Sequence, residues 1–291
     1  MATPILEARD LRLDEGRHVV VEGLSFATNG DKVLVFGTSA PLLRAATGEL
    51  PVRRGQLLVV GRDPSAAARS NGAAVAPLDP LLPPAFTPTG YVEWSARLAT
   101  NDARVAKKQA ETAIHALMLA SVEKTPLARC VTTARRATVI AAALATGATT
   151  ILLEDPTHGL EDEAARGFAK LVTKALANVR WALFAARIPL ESPLALEADD
   201  AVVLGSSEVL AQGFPAELAA REKRFSIVVN GDARGFAEAL TAHGYTTLGE
   251  PPRLLVDLGD GAESGTKDLF ALALLHGVTI MELSPVAGAL A

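Results

Sequence analysis

The chain has 291 residues, 49% of them hydrophobic, and a mean hydropathy of +0.25, which suits two domains with cores of their own and excludes a disordered chain. A formal net charge of −5 and a pI near 5.6, with no basic cluster, argue against nucleic acid or anionic lipid as a partner. The single cysteine, Cys130, rules out an internal disulfide framework and a cysteine-built zinc site, and is expected to be a small buried or half-buried apolar residue.

The start, Met1 to Glu7, has no basic stretch leading into an apolar core, so no secretory signal is expected. Apolar runs such as Val139 to Leu144 and Thr149 to Leu153 fall far short of the roughly 20 residues of a spanning helix. The expected place is therefore the cytoplasm, without direct membrane insertion. Alternating apolar segments punctuated by Gly and Asp predict short strands, several of them antiparallel, at Ile5 to Leu13, Val19 to Phe26, Val33 to Phe36 and Leu57 to Val60. Between the third of these and a helix predicted from Leu42 to Thr47 stands only Gly37-Thr38-Ser39-Ala40-Pro41. A phosphate-binding loop, G-x-x-x-x-G-K-[ST], needs glycines so that successive N–H groups converge on phosphate oxygens, and a lysine and a hydroxyl for the terminal phosphates and Mg²⁺. Here there is no lysine, no second glycine and too few residues.

From about Tyr91 the spacing turns helical, over Val92 to Leu98 and Val105 to Leu119, and reads as a helical insert. An Ala-rich helix, Arg135 to Ala145, runs into the strand Thr150 to Leu153; a helix, Glu161 to Ala177, precedes the strand Trp181 to Ala185; Ala201 to Leu204 and Glu208 to Gln212 form a hairpin. Strands and helices alternating in this way imply a mostly parallel sheet with helices on its faces, giving an α/β fold class. Beyond Arg221 a second unit is predicted, with strands from Arg224, Tyr245, Leu254 and Val278 and helices from Asp232 and Ser264 that stop at Gly244 and Gly277. Its order, β-α-β-β-α-β, is that of a ferredoxin-like sandwich. The boundaries are thus 1–221 and 222–291.

On these elements the first 220 residues resemble the ATP-binding subunit of ABC transporters. The motifs that carry the likeness are Leu43-Arg44, Thr47 and Gly48, like the segment after the family's Walker A; Gly55 to Gly61, like its G-x-v-x-v-x-G strand; and Leu81 to Pro84 with Phe86, Thr87 and Tyr91, like the stretch after its Q-loop. Ile151 to Thr157 with Gly159-Leu160 is similar to its Walker B segment, and Gln212-Gly213-Phe214-Pro215-Ala216-Glu217-Leu218 to its closing segment. The second unit, with Gly277 to Pro285, resembles the accessory domain of the type-2 exporter branch. The resemblance implies a P-loop NTPase-like core, Walker positions at Gly37, Thr38 and Ser39 and at Glu154 and Asp155, a Q-loop position at Leu78, a signature at Val131, Thr132 and Thr133, and an H-loop position at Ala186 or Arg187.

The functional positions of that family are the ones that differ. Glu15 stands where an aromatic stacks on adenine, Leu78 where a glutamine helps order Mg²⁺, and Cys130-Val131-Thr132-Thr133-Ala134 where L-S-G-G-Q belongs. Branched side chains there obstruct the close backbone approach that glycine permits. Glu154 and Asp155 invert the Walker B pair, so the first is a methylene too long for the metal position and the second a methylene too short to orient water. His158 beside them reads as a hydrogen-bonded loop residue, Thr38 and Ser39 as helix-start groups able to meet an anion or simply to cap, and Arg135-Arg136 as a dimer-facing or a solvated basic turn.

Taken together, these residues imply a catalytically inactive, pseudo-ATPase subunit with no cofactor and no bound metal. Such a subunit acts as scaffold or regulator on an ABC-type permease or other integral membrane protein, beside an ATPase-like paralogue or a second copy, on the inner face of the membrane. The alternatives are an energising exporter subunit with a weak, unconventional ATP–Mg²⁺ site, and an adaptor unconnected with transport.

Overall fold

The structure is a computed structural model that describes residues 3–189, 192–221, 224–249, 252–258 and 266–287. In chain order the elements are β1 (Leu6–Glu15), β2 (His18–Ala27), β3 (Lys32–Gly37), α1 (Ser39–Ala46), β4 (Val52–Val59), α2 (Pro64–Arg69), β5 (Ala73–Ala76), α3 (Pro88–Ala99), α4 (Ala103–Ala116), α5 (Thr132–Ala145), β6 (Thr150–Glu154), α6 (Asp162–Ala175), β7 (Arg180–Phe184), β8 (Ile188–Pro189), α7 (Pro193–Leu196), β9 (Asp200–Leu204) and β10 (Val209–Gly213). They are followed by α8 (Pro215–Arg221), β11 (Arg224–Asn230), α9 (Ala233–Ala242), β12 (Thr246–Leu248), β13 (Arg253–Asp257), α10 (Thr266–Leu275) and β14 (Thr279–Ala287). Ser264, the predicted start of the last helix, lies outside the described residues.

A six-stranded sheet in the order β10-β9-β3-β7-β6-β5 forms the centre, parallel throughout except for β10. Its inner strands are near-continuous apolar runs because both faces are covered. The period of two divides each strand between two cores. Leu34 and Phe36, Ile151 and Leu153, Trp181 and Leu183, and Ala201 and Val203 face α3, α4, α5 and α6. Val33 and Val35, Leu152, Ala182 and Phe184, and Val202 and Leu204 face α1 and a three-stranded antiparallel sheet, β2-β1-β4. Asp200 is buried at the start of β9, where one carboxylate oxygen accepts from the Asn29 N–H at 2.7 Å and from Gln212 Nε2 at 3.0 Å. Burial pushes its carboxyl group up, against the pull of those donors.

A third sheet, in the order β12-β13-β11-β14-β8, is antiparallel at every junction. Its first four strands have the ferredoxin-like order, and α9 and α10 close over one face on Ile227, Phe236, Leu240, Val256 and Leu269. The fifth strand comes from elsewhere. β8 pairs with β14 through Pro189 and Val286, while its Ile188 side chain is buried in the helical core of the six-stranded sheet. The sheet that begins at β11 is therefore joined to the first 221 residues by shared strand hydrogen bonding, a contact absent from the expected boundary at residue 221.

Candidate functional site

Parallel pairing brings the ends of β3, β7, β6 and β5 to one edge, so Gly37, Arg187, Glu154 and Leu78 lie along the carboxyl edge of the sheet. That edge is where open α/β sheets bind ligands.

At the position expected for Walker A, β3 ends at Gly37 and α1 begins at Ser39, leaving Thr38 as the whole connection. The helix thus starts three residues before the predicted Leu42. Ser39 and Ala40 have helical geometry already, and Pro41, whose fixed φ suits a first turn, does not delay it. Gly37 has φ +81°, and a Cβ there would collide with the Leu204 carbonyl oxygen of β9. The same carbonyl accepts the Thr38 N–H at 3.2 Å, and Thr38 Oγ1 donates to the Gly205 carbonyl at 3.1 Å. Thr38 therefore does not cap its helix with its side chain. With the Thr38 amide engaged and Pro41 lacking one, the first turn has only Ser39 and Ala40 to offer, and Ser39 is buried.

Glu154 and Asp155 are both held by local donors. Glu154 Oε2 accepts from the Leu78 N–H at 2.7 Å, which ties the end of β6 to the segment after β5. Asp155 Oδ1 accepts from the Thr157 N–H at 2.9 Å and from Thr157 Oγ1 at 2.7 Å, an Asx turn that shapes the following loop. His158 donates its N–H to the Asp155 carbonyl at 3.3 Å, and its own side chain is exposed.

Arg136 corrects the expectation of a solvated basic turn. Its side chain is 8% exposed and makes a two-pronged pair with Asp79, Nε to Oδ1 at 2.9 Å and Nη2 to Oδ2 at 2.6 Å. Its Nη1 donates to the Pro156 carbonyl at 3.0 Å and to the His158 carbonyl at 2.7 Å. Hydrogen bonding to this guanidinium, and its charge, hold the Asp79 carboxyl below the usual aspartate range. Asp79 is not among the residues that the sequence singles out; its one local signal is an acid directly before a proline. Arg135 stays exposed, near Thr132.

Val131, Thr132 and Thr133 form the start of α5, with Val131 68% exposed and without a capping side chain. Arg187 is exposed between β7 and β8. Glu15, at the end of β1, is ion-paired with Arg44 of α1. Cys130 is buried against the carbonyls of Thr125 and Pro126, and burial pushes its thiol up. Among the described residues no three His, Cys, Asp or Glu side chains gather as a metal set, and no helix is long and apolar enough to cross a membrane.

No protein-family model and no curated protein matches the chain by sequence. Solved structures do. The cbiO1 subunit from Clostridium perfringens, part of the ABC transporter complex cbiONQ, is similar with a TM-score of 0.64 at 17% identity, over 75% of this chain and 91% of its own. An ATP binding subunit of an ABC transporter aligns with a TM-score of 0.60 at 14% identity, over 75% of this chain and 92% of its own. The ADP conformation of MJ1267, an ATP-binding cassette of an ABC transporter, aligns with a TM-score of 0.60 at 16% identity, over 72% of this chain and 91% of its own. About three quarters of this chain thus has the fold of ABC transporter ATP-binding subunits.

Proposed function

We propose that the chain is a non-hydrolysing, ATPase-like subunit that serves a membrane protein as scaffold or regulator. The observation that carries this reading is the junction of β3 and α1, where a single residue replaces the phosphate loop and the glycine answers to a neighbouring strand. Around it, three carboxylates have structural partners: Glu154 the Leu78 amide, Asp155 the Thr157 amide and hydroxyl, and Glu15 the Arg44 guanidinium. A nucleoside triphosphate with its metal does not fit this set, because two amides without a lysine do not match the charge of three phosphates. Removing one transition-state contact commonly costs ~10²- to 10³-fold in rate, and here several are replaced together.

A membrane protein as partner is supported by the fold's likeness to transporter subunits and by the surface after β5. A cleft of about 310 Å³ is lined by Leu81, Leu82, Pro84, Leu127 and Val139, with Arg135 and Arg136 on its polar side. Leu81 is fully exposed. Apolar surface of this kind is what a short amphipathic segment of a partner buries.

Titration of the purified protein with MgATP and with a fluorescent analogue tests the reading. The expected result is no saturable binding at millimolar nucleotide and no phosphate release. Micromolar binding, with turnover abolished by Glu154→Gln, would instead establish an energising subunit. Co-purification with a polytopic membrane protein, reduced by Leu81→Asp, is the expected outcome for the partner. An unchanged yield with Leu81→Asp would move docking away from this cleft.

A further inference from the structure

We infer that the outer face of α10 is a pairing surface for a second copy of this chain, so that the molecule dimerises through its last unit without nucleotide. From Leu269 to Leu275 the helix is apolar all round. Leu269, Leu272 and Ala273 are buried in the core under it, yet Phe270, Leu274 and Leu275 on its other side are 51%, 83% and 79% exposed, with Ala271 exposed between them. A helix apolar on every side is normally covered on every side. Among the described residues nothing covers this one.

The pattern of the exposed face favours a second α10 as its cover. At 100° per residue Lys267, Ala271 and Leu274 run along the middle of the outer face, with Phe270 and Leu275 flanking them. In an antiparallel two-fold pair centred on Ala271, the smallest residue sits on the axis and lets the helices approach to ~8 Å. Phe270 of each copy then packs diagonally on Leu274 of the other, and Leu275 lies along the aliphatic stem of Lys267. Charge agrees with this direction. Lys267 is in the first turn, where its ammonium opposes the dipole of its own helix; antiparallel pairing sets it beside the carbonyl end of the partner helix, where a cation is favoured. A parallel pair would bring the two lysines together. A two-fold contact of this type is self-complementary and closed, so it yields dimers and not filaments. Two helical turns bury less than the ~800 Å² per partner of a standard interface, so the dimer is expected to be of about micromolar affinity.

The test is sedimentation equilibrium of the full chain from ~1 to 200 µM, with and without MgATP. A monomer–dimer equilibrium unaffected by nucleotide is expected. Leu274→Asp should weaken it roughly tenfold or more, with an unchanged circular dichroism spectrum, and Lys267→Glu should weaken it while leaving the apolar face intact. Ala271→Cys, in a Cys130→Ser background, should give a covalent dimer on mild oxidation and Lys267→Cys should not, since an antiparallel pair centred on residue 271 brings the two 271 positions together and sets the two 267 positions about 12 Å apart, whereas a parallel pair brings both sets together. A monomer at every concentration overturns the proposal, leaving the face to a different partner. So does a dimer untouched by Leu274→Asp, or one that forms only with MgATP; the last would overturn the nucleotide-free reading of the β3–α1 junction as well, whereas a nucleotide-independent monomer would leave that reading standing.

Discussion

Gly37 and Arg136 carry the two residue-scale arguments. A glycine at the end of the first parallel strand is legible as a remnant of a phosphate loop, but the structure gives it a different role, with φ +81° and the Leu204 carbonyl in the space a Cβ needs. Gly37→Ala is expected to lose more than about 2 kcal/mol of stability, read as a lower urea midpoint, because the backbone is strained and β9 has to move. If Gly37 served phosphate alone, the same change would leave the midpoint within about 0.5 kcal/mol. Arg136 spans α5, Asp79 and the 156–158 loop, so Arg136→Met strands a carboxylate and two carbonyls and is expected to cost about 3 kcal/mol. Asp79→Asn separates the charge. The carboxyl of Asp79 is held below its ordinary value, so its contribution is present above that value and disappears as pH falls from it toward the depressed one. The wild type should lose stability across that acid window, and Asp79→Asn should show a smaller loss there while being less stable at neutral pH.

At the scale of elements, periodicity explains most of what was readable. The inner strands alternate between two cores, and each predicted strand of the six-stranded sheet lies within about two residues of the observed one. Helix starts were less legible where proline is involved: α1 begins at Ser39, not Leu42. The two-residue β8 had no signal at all, because Ile188-Pro189 is too short for a period and its pairing partner, at Val286 and Ala287, lies far along the chain. Among the contacts that join this part of the molecule to the third sheet, two differ in kind. The Arg253–Asp162 pair is 2.7 Å long but 38% and 72% exposed, so Asp162→Ala is expected to change the unfolding midpoint by less than about 0.5 kcal/mol. Ile188 is buried in the helical core, and Ile188→Ala should cost about 2–4 kcal/mol and speed amide exchange in β14 as well as β7. Equal effects of the two substitutions would show that the ion pair fastens the third sheet as much as the shared strand does.

On the scale of the whole molecule, the chain shares the fold of ABC ATP-binding subunits at 14–17% identity, while the residues expected at nucleotide positions make internal contacts. Ligand binding at a hundredfold excess over Kd raises stability by about 2.7 kcal/mol. Millimolar MgATP is therefore expected to leave the thermal midpoint unchanged, and a rise of several degrees would reinstate a nucleotide site. The sequence by itself determined the order of most strands and helices, the α/β class, and the absence of lysine and second glycine between β3 and α1, since each of these is a local matter of period and residue type. Only the tertiary structure decided that Gly37 makes room for Leu204, that Glu154 answers to the Leu78 amide, that Arg136 is buried on Asp79, and that β8 belongs to the third sheet. Those contacts join residues separated by 57 or more positions in the chain, and such distances are closed by packing, which no window of sequence encodes.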